Sequence, residues 1–128
     1  MSFSFAQSFA EKEIRDYMDK SARDWNSGDL DEFMKGYLNS DSVMYIGGSK
    51  ITYGYQNILN AYKKSFPDTA AMGTLRFELL HVKEVSPEYY MVTGKYFLTR
   101  RAGNAQGMFT LLFRQIKGKW LIVYDHSS

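Results

Sequence analysis

The last four residues of the chain, Asp125 to Ser128, place an aspartate, a histidine and two serines side by side. These are the side-chain types of a Ser-His-Asp relay, whose groups must lie within hydrogen-bond reach, roughly 2.6–3.2 Å apart. The preceding residues, KWLIVY, are typical of a β-strand, and successive side chains of a strand point to opposite faces. We therefore expect Asp125 and His126 on opposite faces, which argues against a relay.

Strand alternation predicts two sets of residues at this end of the chain. Leu121, Val123, Asp125 and Ser127 share one face, and Trp120, Ile122, Tyr124 and His126 share the other. A slip of one residue in the strand would exchange the two sets.

The composition is unusual in its aromatic content, with 10 Tyr, 9 Phe and 2 Trp among 128 residues. Large rings, many with a polar tip, suit a cavity or an interface as well as a core. The absence of Cys excludes disulfides and thiol catalysis. The two histidines show no metal-ligand spacing with carboxylates, so we expect no metal and no cofactor.

The charges give no sign of a nucleic-acid partner, because the net charge of +2 arises from interspersed acidic and basic residues. No apolar run approaches the roughly 20 residues of a membrane span. The first residues, MSFSFAQSFAEKE, lack the basic start and apolar stretch of a signal peptide. We expect a cytoplasmic protein without membrane contacts.

Apolar residues at three-and-four spacing predict three helices, followed by strands with a period of two. Ser8 and Glu11 form a capping box at the start of the first helix, and Asp29 is a suitable N-cap for the second. The predicted helices span 9–25, 30–38 and 55–66. A strand is predicted in SVMYIGG, and four more near 74–85, 89–100, 106–116 and 119–126. Helices first and an antiparallel meander last indicate an α+β domain with helices on one sheet face.

Three segments together resemble the SnoaL-like branch of the nuclear transport factor 2-like superfamily: WNSGDLDEFMKGYLNSDSVMYIGG, GYQNILNAY and GMFTLLFRQIKGKWLIVYDHSS. Within it, the chain is most similar to bacterial proteins related to the association domain of calcium/calmodulin-dependent kinase. The resemblance covers about residues 14–128, so residues 1–128 are interpreted as a single SnoaL-like domain. It implies a cone-shaped α+β fold, a cystatin-like roll of three N-terminal helices on a strongly curved antiparallel sheet. It also implies an internal pocket and a homodimer formed through the outer sheet face.

The resemblance does not carry over the ketosteroid isomerase mechanism, which needs a carboxylate base opposite a Tyr and a protonated Asp. The position of the Tyr corresponds to Ser21, with Tyr17 one helical turn earlier as a partial substitute. The base corresponds to Ile46, and the Asp to Leu111 or Leu112. A histidine-based dehydratase is not favoured by His81, whose mid-strand position indicates a structural or surface role.

In the kinase association domain, the position that corresponds to Ser127 lines the pocket. The resemblance therefore places Asp125 and Ser127 inside, and Tyr124 and His126 at the dimer interface. The arginines of that domain's acidic-ligand pocket correspond to Leu111 and Ser127, so a carboxylate ligand bound in that way is not expected.

The expected pocket is mostly apolar with a few polar tips, as in many small-molecule sites. Its predicted lining is Tyr17, Ser21, Trp25, Tyr37, Met44, Ile46, Tyr62, Phe109, Leu111, Phe113, Leu121, Val123 and Asp125. For each of these residues the alternative to ligand contact is a place in the hydrophobic core, and this alternative applies most strongly to Trp25 and Phe113. A buried carboxylate is costly unless it is paired, and an unpaired one has a raised pKa. If it is unpaired, Asp125, with Tyr17, is the candidate catalytic residue; the alternative, which we favour, is a structural hydrogen bond between Asp125 and a Tyr or backbone group.

Three functions remain open. The first is binding of a small apolar or aromatic organic ligand inside a homodimer. The second is a lyase or isomerase of the SnoaL and ketosteroid isomerase type with Asp125 as base. The third is an oligomerisation module without a ligand. An open pocket favours the first two, and a filled core favours the third.

Overall fold

The structure is a computed structural model that describes residues 5–128, with side chains described from residue 9 onward. These residues form four helices: α1 Phe5–Asn26, α2 Leu30–Met34, α3 Tyr55–Ser65 and α4 Thr69–Met72. They form six strands: β1 Met44–Gly47, β2 Lys50–Tyr53, β3 Thr74–Ser86, β4 Tyr89–Thr99, β5 Ala105–Ile116 and β6 Lys119–Ser127. The helices pack on one face of a curved sheet that is not closed, in the order β2-β1-β6-β5-β4-β3.

The helical hairpin of α1 and α2 forms as its apolar spacing predicts. Ile14, Met18 and Trp25 of α1 are buried against the sheet. The N-cap Asp29 accepts a hydrogen bond from the Glu32 backbone N–H at 3.0 Å, which satisfies one free donor of α2. The predicted start of the first helix at Ser8 is wrong because α1 begins at Phe5. The side chain of the predicted cap Ser8 lies outside the described residues.

The second helix ends at Met34, four residues before the predicted end at Leu38. The backbone of residues 36–38 pairs instead with β6. The Ile122 N–H donates to the Gly36 carbonyl, and the Leu38 N–H donates to the Ile122 carbonyl, both at 2.9 Å. These bonds replace the helical ones and hold Tyr37 beside the sheet.

The sheet contains the predicted antiparallel meander β3-β4-β5-β6, with strand ends within one residue of those predicted. The hairpin of β1 and β2 extends it, and β1 pairs with β6 in parallel. The sheet is therefore mixed rather than purely antiparallel. This parallel register sets Tyr45 opposite Asp125.

A β-bulge in β6 overturns the predicted simple alternation of that strand. Leu112 pairs with Tyr124, but the next residue of β5, Phe113, pairs with Ile122, so Val123 is the extra residue. A bulge of one residue exchanges the faces on its two sides. Ile122 consequently shares the inner face with Asp125, while Leu121 lies on the outer face with Tyr124.

Within residues 5–128, no helix combines the length and apolar content that crossing a membrane requires. Over the same described residues, no three His, Cys, Asp or Glu side chains come together in an arrangement that could hold a metal ion.

Candidate functional site

A cavity of about 130 Å³ lies between the helices and the inner face of the sheet. Helices α1 and α3 contribute one wall, the α2 region a second, and alternate residues of five strands the floor. Its lining consists of Met18, Ser21, Trp25, Phe33, Tyr37, Tyr45, Tyr62, Phe66, Leu75, Phe77, Tyr96, Leu98, Phe109, Leu111, Ile122, Asp125 and Ser127.

Aromatic rings in edge-to-face contact form the helical side of this cavity. The Trp25 ring lies 4.9 Å from that of Phe66 and 5.1 Å from that of Phe33, between centroids. The Tyr62 ring lies 5.6 Å from both Phe33 and Tyr45. Such pairs contribute about 0.5–1.5 kcal/mol each beyond their buried area. The rings therefore support one another and keep the wall in place.

Asp125 is the carboxylate of the cavity wall, and its side chain is only 3% exposed. Tyr37 Oη donates to Asp125 Oδ2 at 2.5 Å, and Ser127 Oγ donates to Oδ1 at 2.9 Å. The Tyr62 hydroxyl lies 3.5 Å from that of Tyr37 and extends the chain of polar groups. The inward carboxylate is thus held by two hydroxyl groups.

Burial raises the pKa of Asp125 to about 6, although the hydrogen bonds from Tyr37 and Ser127 act in the opposite direction. The carboxyl group therefore changes its charge just below neutral pH. At pH 7 it is mostly ionised, and a proton or a ligand can alter its charge state.

The neighbouring tyrosines remain neutral donors at physiological pH. Burial, followed by the nearby charge of Asp125, raises the pKa values of Tyr37 and Tyr62 well above the ordinary value. The same two causes raise the pKa of Tyr45 to about 12. The cavity accordingly combines one titratable carboxyl group with hydroxyl groups that do not ionise.

Seven residues of the predicted pocket line the cavity together. They are Ser21, Trp25, Tyr37, Tyr62, Phe109, Leu111 and Asp125.

Two predicted pocket residues, Tyr17 and Phe113, lie behind the wall rather than on it. The Tyr17 ring packs edge-on against Phe113, 5.6 Å between centroids, and its hydroxyl fills the space left by the missing side chain of Gly36. Tyr17 Oη is buried and has no hydrogen-bond partner among residues 9–128. Phe113 is fully buried in the core. Tyr37, not Tyr17, supplies the hydroxyl beside Asp125.

Four further predicted pocket residues, Met44, Ile46, Leu121 and Val123, do not line the cavity. Met44 and Ile46 flank Tyr45 in β1, and since Tyr45 points inward opposite Asp125, its two neighbours point outward. Leu121 is turned outward, and Val123 is displaced, by the bulge of β6.

Nine lining residues were not predicted to face the pocket: Met18, Phe33, Tyr45, Phe66, Leu75, Phe77, Tyr96, Leu98 and Ile122. Ser127, which was expected to face inward with Asp125, also lines the cavity. Several of the nine carried a usable signal, since Leu75 and Phe77, like Tyr96 and Leu98, alternate within predicted strands. Ile122 carried none, because the bulge that turns it inward has no sequence signature of its own.

The terminal cluster does not form a relay. Asp125 is buried in the cavity, whereas His126 is exposed and Tyr124 is half-buried on the outer face of the sheet. His81 is exposed on β3 and does not line the cavity.

Helices packed on one face of a curved, open sheet, with a cavity between the two layers, define the cystatin-like class of α+β folds. The model of the SnoaL-like domain matches residues 14–128. The chain therefore belongs to the SnoaL-like family, as the sequence resemblance predicts.

Solved structures agree with this assignment. An NTF-2 like protein of unknown function from Shewanella oneidensis is 37% identical, with a TM-score of 0.87 over 91% of this chain and 97% of that one. A proposed calcium/calmodulin-dependent protein kinase type II association domain from Thiobacillus denitrificans is 19% identical, with a TM-score of 0.74 over 87% and 90%. A ketosteroid isomerase-like protein from Erwinia carotovora is 16% identical, with a TM-score of 0.71 over 91% and 93%. The last two share the fold. No curated protein matches the chain.

Proposed function

We propose that this protein binds a small organic molecule, apolar or aromatic over most of its surface, in the cavity around Asp125. The observation that carries the proposal is a cavity of about 130 Å³ lined mainly by aromatic and aliphatic side chains with a few convergent hydroxyl groups. A filled core would have favoured an oligomerisation module without a ligand.

The size of the cavity limits the ligand. A cavity of about 150 Å³ lined by apolar side chains accepts benzene, and the volume here is similar. The ligand class is therefore a molecule with about one ring, and its polar group lies near Asp125 and Tyr37.

Two neighbouring residues of β5 provide a matched test of this function. Leu111 lines the cavity, whereas Leu112 lies on the opposite face of the sheet. Leu111→Phe adds volume inside the cavity and should weaken binding of benzyl alcohol at least about tenfold, since a site filled by protein atoms excludes the ring. Leu112→Phe makes the same chemical change outside the cavity and should leave the affinity unchanged.

Isothermal titration calorimetry measures both affinities, and thermal unfolding shows that each variant is folded. Equal affinities of wild type and a folded Leu111→Phe variant would contradict binding in this cavity.

The second candidate function is a lyase or isomerase that uses Asp125 as general base. It is favoured by the pKa of about 6, which suits proton transfer near neutral pH. In such a step, Asp125 takes a proton from the carbon next to a carbonyl group, and the electron pair moves to the carbonyl oxygen. That oxygen would lie near Tyr62, because the Tyr37 hydroxyl already donates to Asp125. Deuterium exchange into a single-ring ketone in D₂O, followed by NMR, measures this step. This second function would be contradicted if the wild-type protein exchanged deuterium no faster than buffer alone, or if Asp125→Asn exchanged it as fast as the wild type.

We also propose that the protein acts in the cytoplasm as a homodimer joined through the outer sheet face. The support for the dimer is a set of exposed apolar side chains on that face, where Met91 and Met108 remain 40% and 41% exposed. Ile51 and Tyr53 continue it across β2 at 47% and 54% exposure.

A further inference from the structure

The described residues of the cavity wall carry a negative charge and no positive charge to compensate it. Within the described part of the chain, the lining contains one carboxylate and no Lys, Arg or His. The ion pairs formed among residues 9–128 do not include Asp125. We propose that the ligand of this cavity is a small organic cation, an ammonium group attached to about one ring, with the ammonium directed at Asp125. This inference rests on the proposed ligand-binding function and specifies the chemical class of the ligand.

The hydrogen bonds of Asp125 leave room for such a group. An ionised carboxylate has about four acceptor sites, and Tyr37 and Ser127 use one site on each oxygen. Neutral hydroxyl groups supply hydrogen bonds to the carboxylate but do not cancel its negative charge. A buried charge is costly without a counter-charge. An ammonium group supplies both the missing donors and the missing charge.

The rest of the wall also suits a cation. Nine of the lining residues are aromatic: Trp25, Phe33, Tyr37, Tyr45, Tyr62, Phe66, Phe77, Tyr96 and Phe109. The negative faces of aromatic rings attract ammonium groups, most strongly in desolvated sites. The cavity disfavours an anionic ligand, because Asp125 repels a negative charge and no basic side chain of the described lining can pair with it. The volume of about 130 Å³ limits the cation to about one ring.

The pH response of Asp125 is set by a defined group of neighbours. Four tyrosines from different elements interact with Asp125: Tyr17 of α1, Tyr37 between α2 and β1, Tyr45 of β1 and Tyr62 of α3. Among the described residues, His126, on the opposite face of β6, is the remaining titratable neighbour that acts on Asp125. Burial raises the pKa values of all four tyrosines, so they stay neutral while Asp125 titrates. Above pH 6 the carboxylate is available to an ammonium group; below it, protonation removes the attraction.

Three probes of one shape test the inference: benzylammonium, benzyl alcohol and benzoate. At pH 8 we expect benzylammonium to bind at least about tenfold more tightly than benzyl alcohol, because charge-assisted hydrogen bonds are stronger than neutral ones. Benzoate should bind most weakly. From pH 8 to pH 5 the affinity for benzylammonium should fall about tenfold, in proportion to the ionised fraction of Asp125, while that for benzyl alcohol stays constant.

The variants separate this inference from the proposed function. Asp125→Asn keeps the shape of the side chain and should abolish the preference for benzylammonium without abolishing binding of benzyl alcohol. Asp19→Asn makes the same charge change on the exposed surface of α1 and should leave the preference intact. Benzyl alcohol binding as tightly as benzylammonium, or a preference that survives in Asp125→Asn, overturns the cation inference while ligand binding stands. Failure of all three probes to bind overturns both.

Discussion

Asp125 determines the chemistry of the cavity, and its partners explain the terminal cluster of polar residues. The serine that matters is Ser127, which lies two residues away on the same face and donates directly to the carboxylate. The histidine between them points outward and takes no part. Tyr37, which lies beside β6, completes the arrangement by donating to the other carboxylate oxygen. A cluster that resembles a catalytic relay in the sequence is a buried carboxylate with two hydroxyl donors in the structure.

The raised pKa of Asp125 predicts a pH-dependent cost to stability. The folded-state pKa of about 6 exceeds the ordinary 3.8, so the folded protein holds the proton more tightly. The stability that this group contributes is present below pH 3.8 and is lost as the pH rises through about 6. Asp125→Asn removes this loss. Between pH 4 and pH 7 the stability of the variant relative to wild type should therefore rise by about 2 kcal/mol.

Urea unfolding at the two pH values measures this difference. Asp19→Asn, at an exposed position of α1, is the control and should show no comparable change. A relative stability of Asp125→Asn that is the same at both pH values would show that burial does not perturb this carboxyl group.

Among the strands, β6 contributes the most residues to the cavity lining, and its bulge departs from the predicted alternation. Its bulge at Val123 allows Ile122 to pair with residues 36–38 on one side and with Phe113 on the other. The same bulge sets Asp125 in phase with Ile122 on the inner face. The strand thus supplies both the apolar floor and the carboxylate.

The bulge predicts which of two neighbouring aliphatic residues is the more costly to truncate. Ile122 is 2% exposed and Leu121 is half-buried. Ile122→Ala should lower the free energy of unfolding by about 2–5 kcal/mol, as expected for a core position. Leu121→Ala should cost less than about 2 kcal/mol, because part of its surface is already in water. Urea unfolding of the two variants provides the comparison, and a larger cost at Leu121 would contradict the bulged register.

The elements could largely be predicted from the sequence because helices and strands follow local apolar periodicity. The four meander strands and the helix containing Tyr62 lie close to the expected bounds. The site was predicted less completely because it depends on non-local pairing. The parallel register of β1 with β6 turns Tyr45 inward, and Gly36 makes room for Tyr17 behind the wall. Neither contact leaves a periodic signal in the chain.

At the scale of the whole molecule, the two faces of the sheet differ in what covers them among the described residues. The inner face, with the helices, encloses the cavity, while the outer face presents half-buried or exposed apolar residues such as Leu112, Met91 and Tyr124. The proposed dimer would cover this outer face and leave the cavity within each protomer.

The dimer proposal predicts a solution mass of twice 14.8 kDa. Tyr124→Glu places a charge on the outer face and should yield a protein of 14.8 kDa, because burying an unpaired carboxylate in an interface is costly. Phe9→Glu, at a position of α1 that is 63% exposed, is the matched control and should leave the mass unchanged. Light scattering after gel filtration measures the masses of the wild type and of both variants. A wild-type mass of one chain would contradict the proposed interface.

The central claim is that a small organic molecule binds between the helices and the inner sheet face. Methyl NMR during a titration with benzyl alcohol tests it most directly, because leucine and isoleucine methyl groups mark both faces of the sheet. We predict saturable shifts at the inner positions Leu75, Leu98 and Ile122, with no change at the outer positions Leu112, Leu121 and Ile46. Shifts confined to the outer positions, or no saturable shift at the inner ones, would contradict the claim.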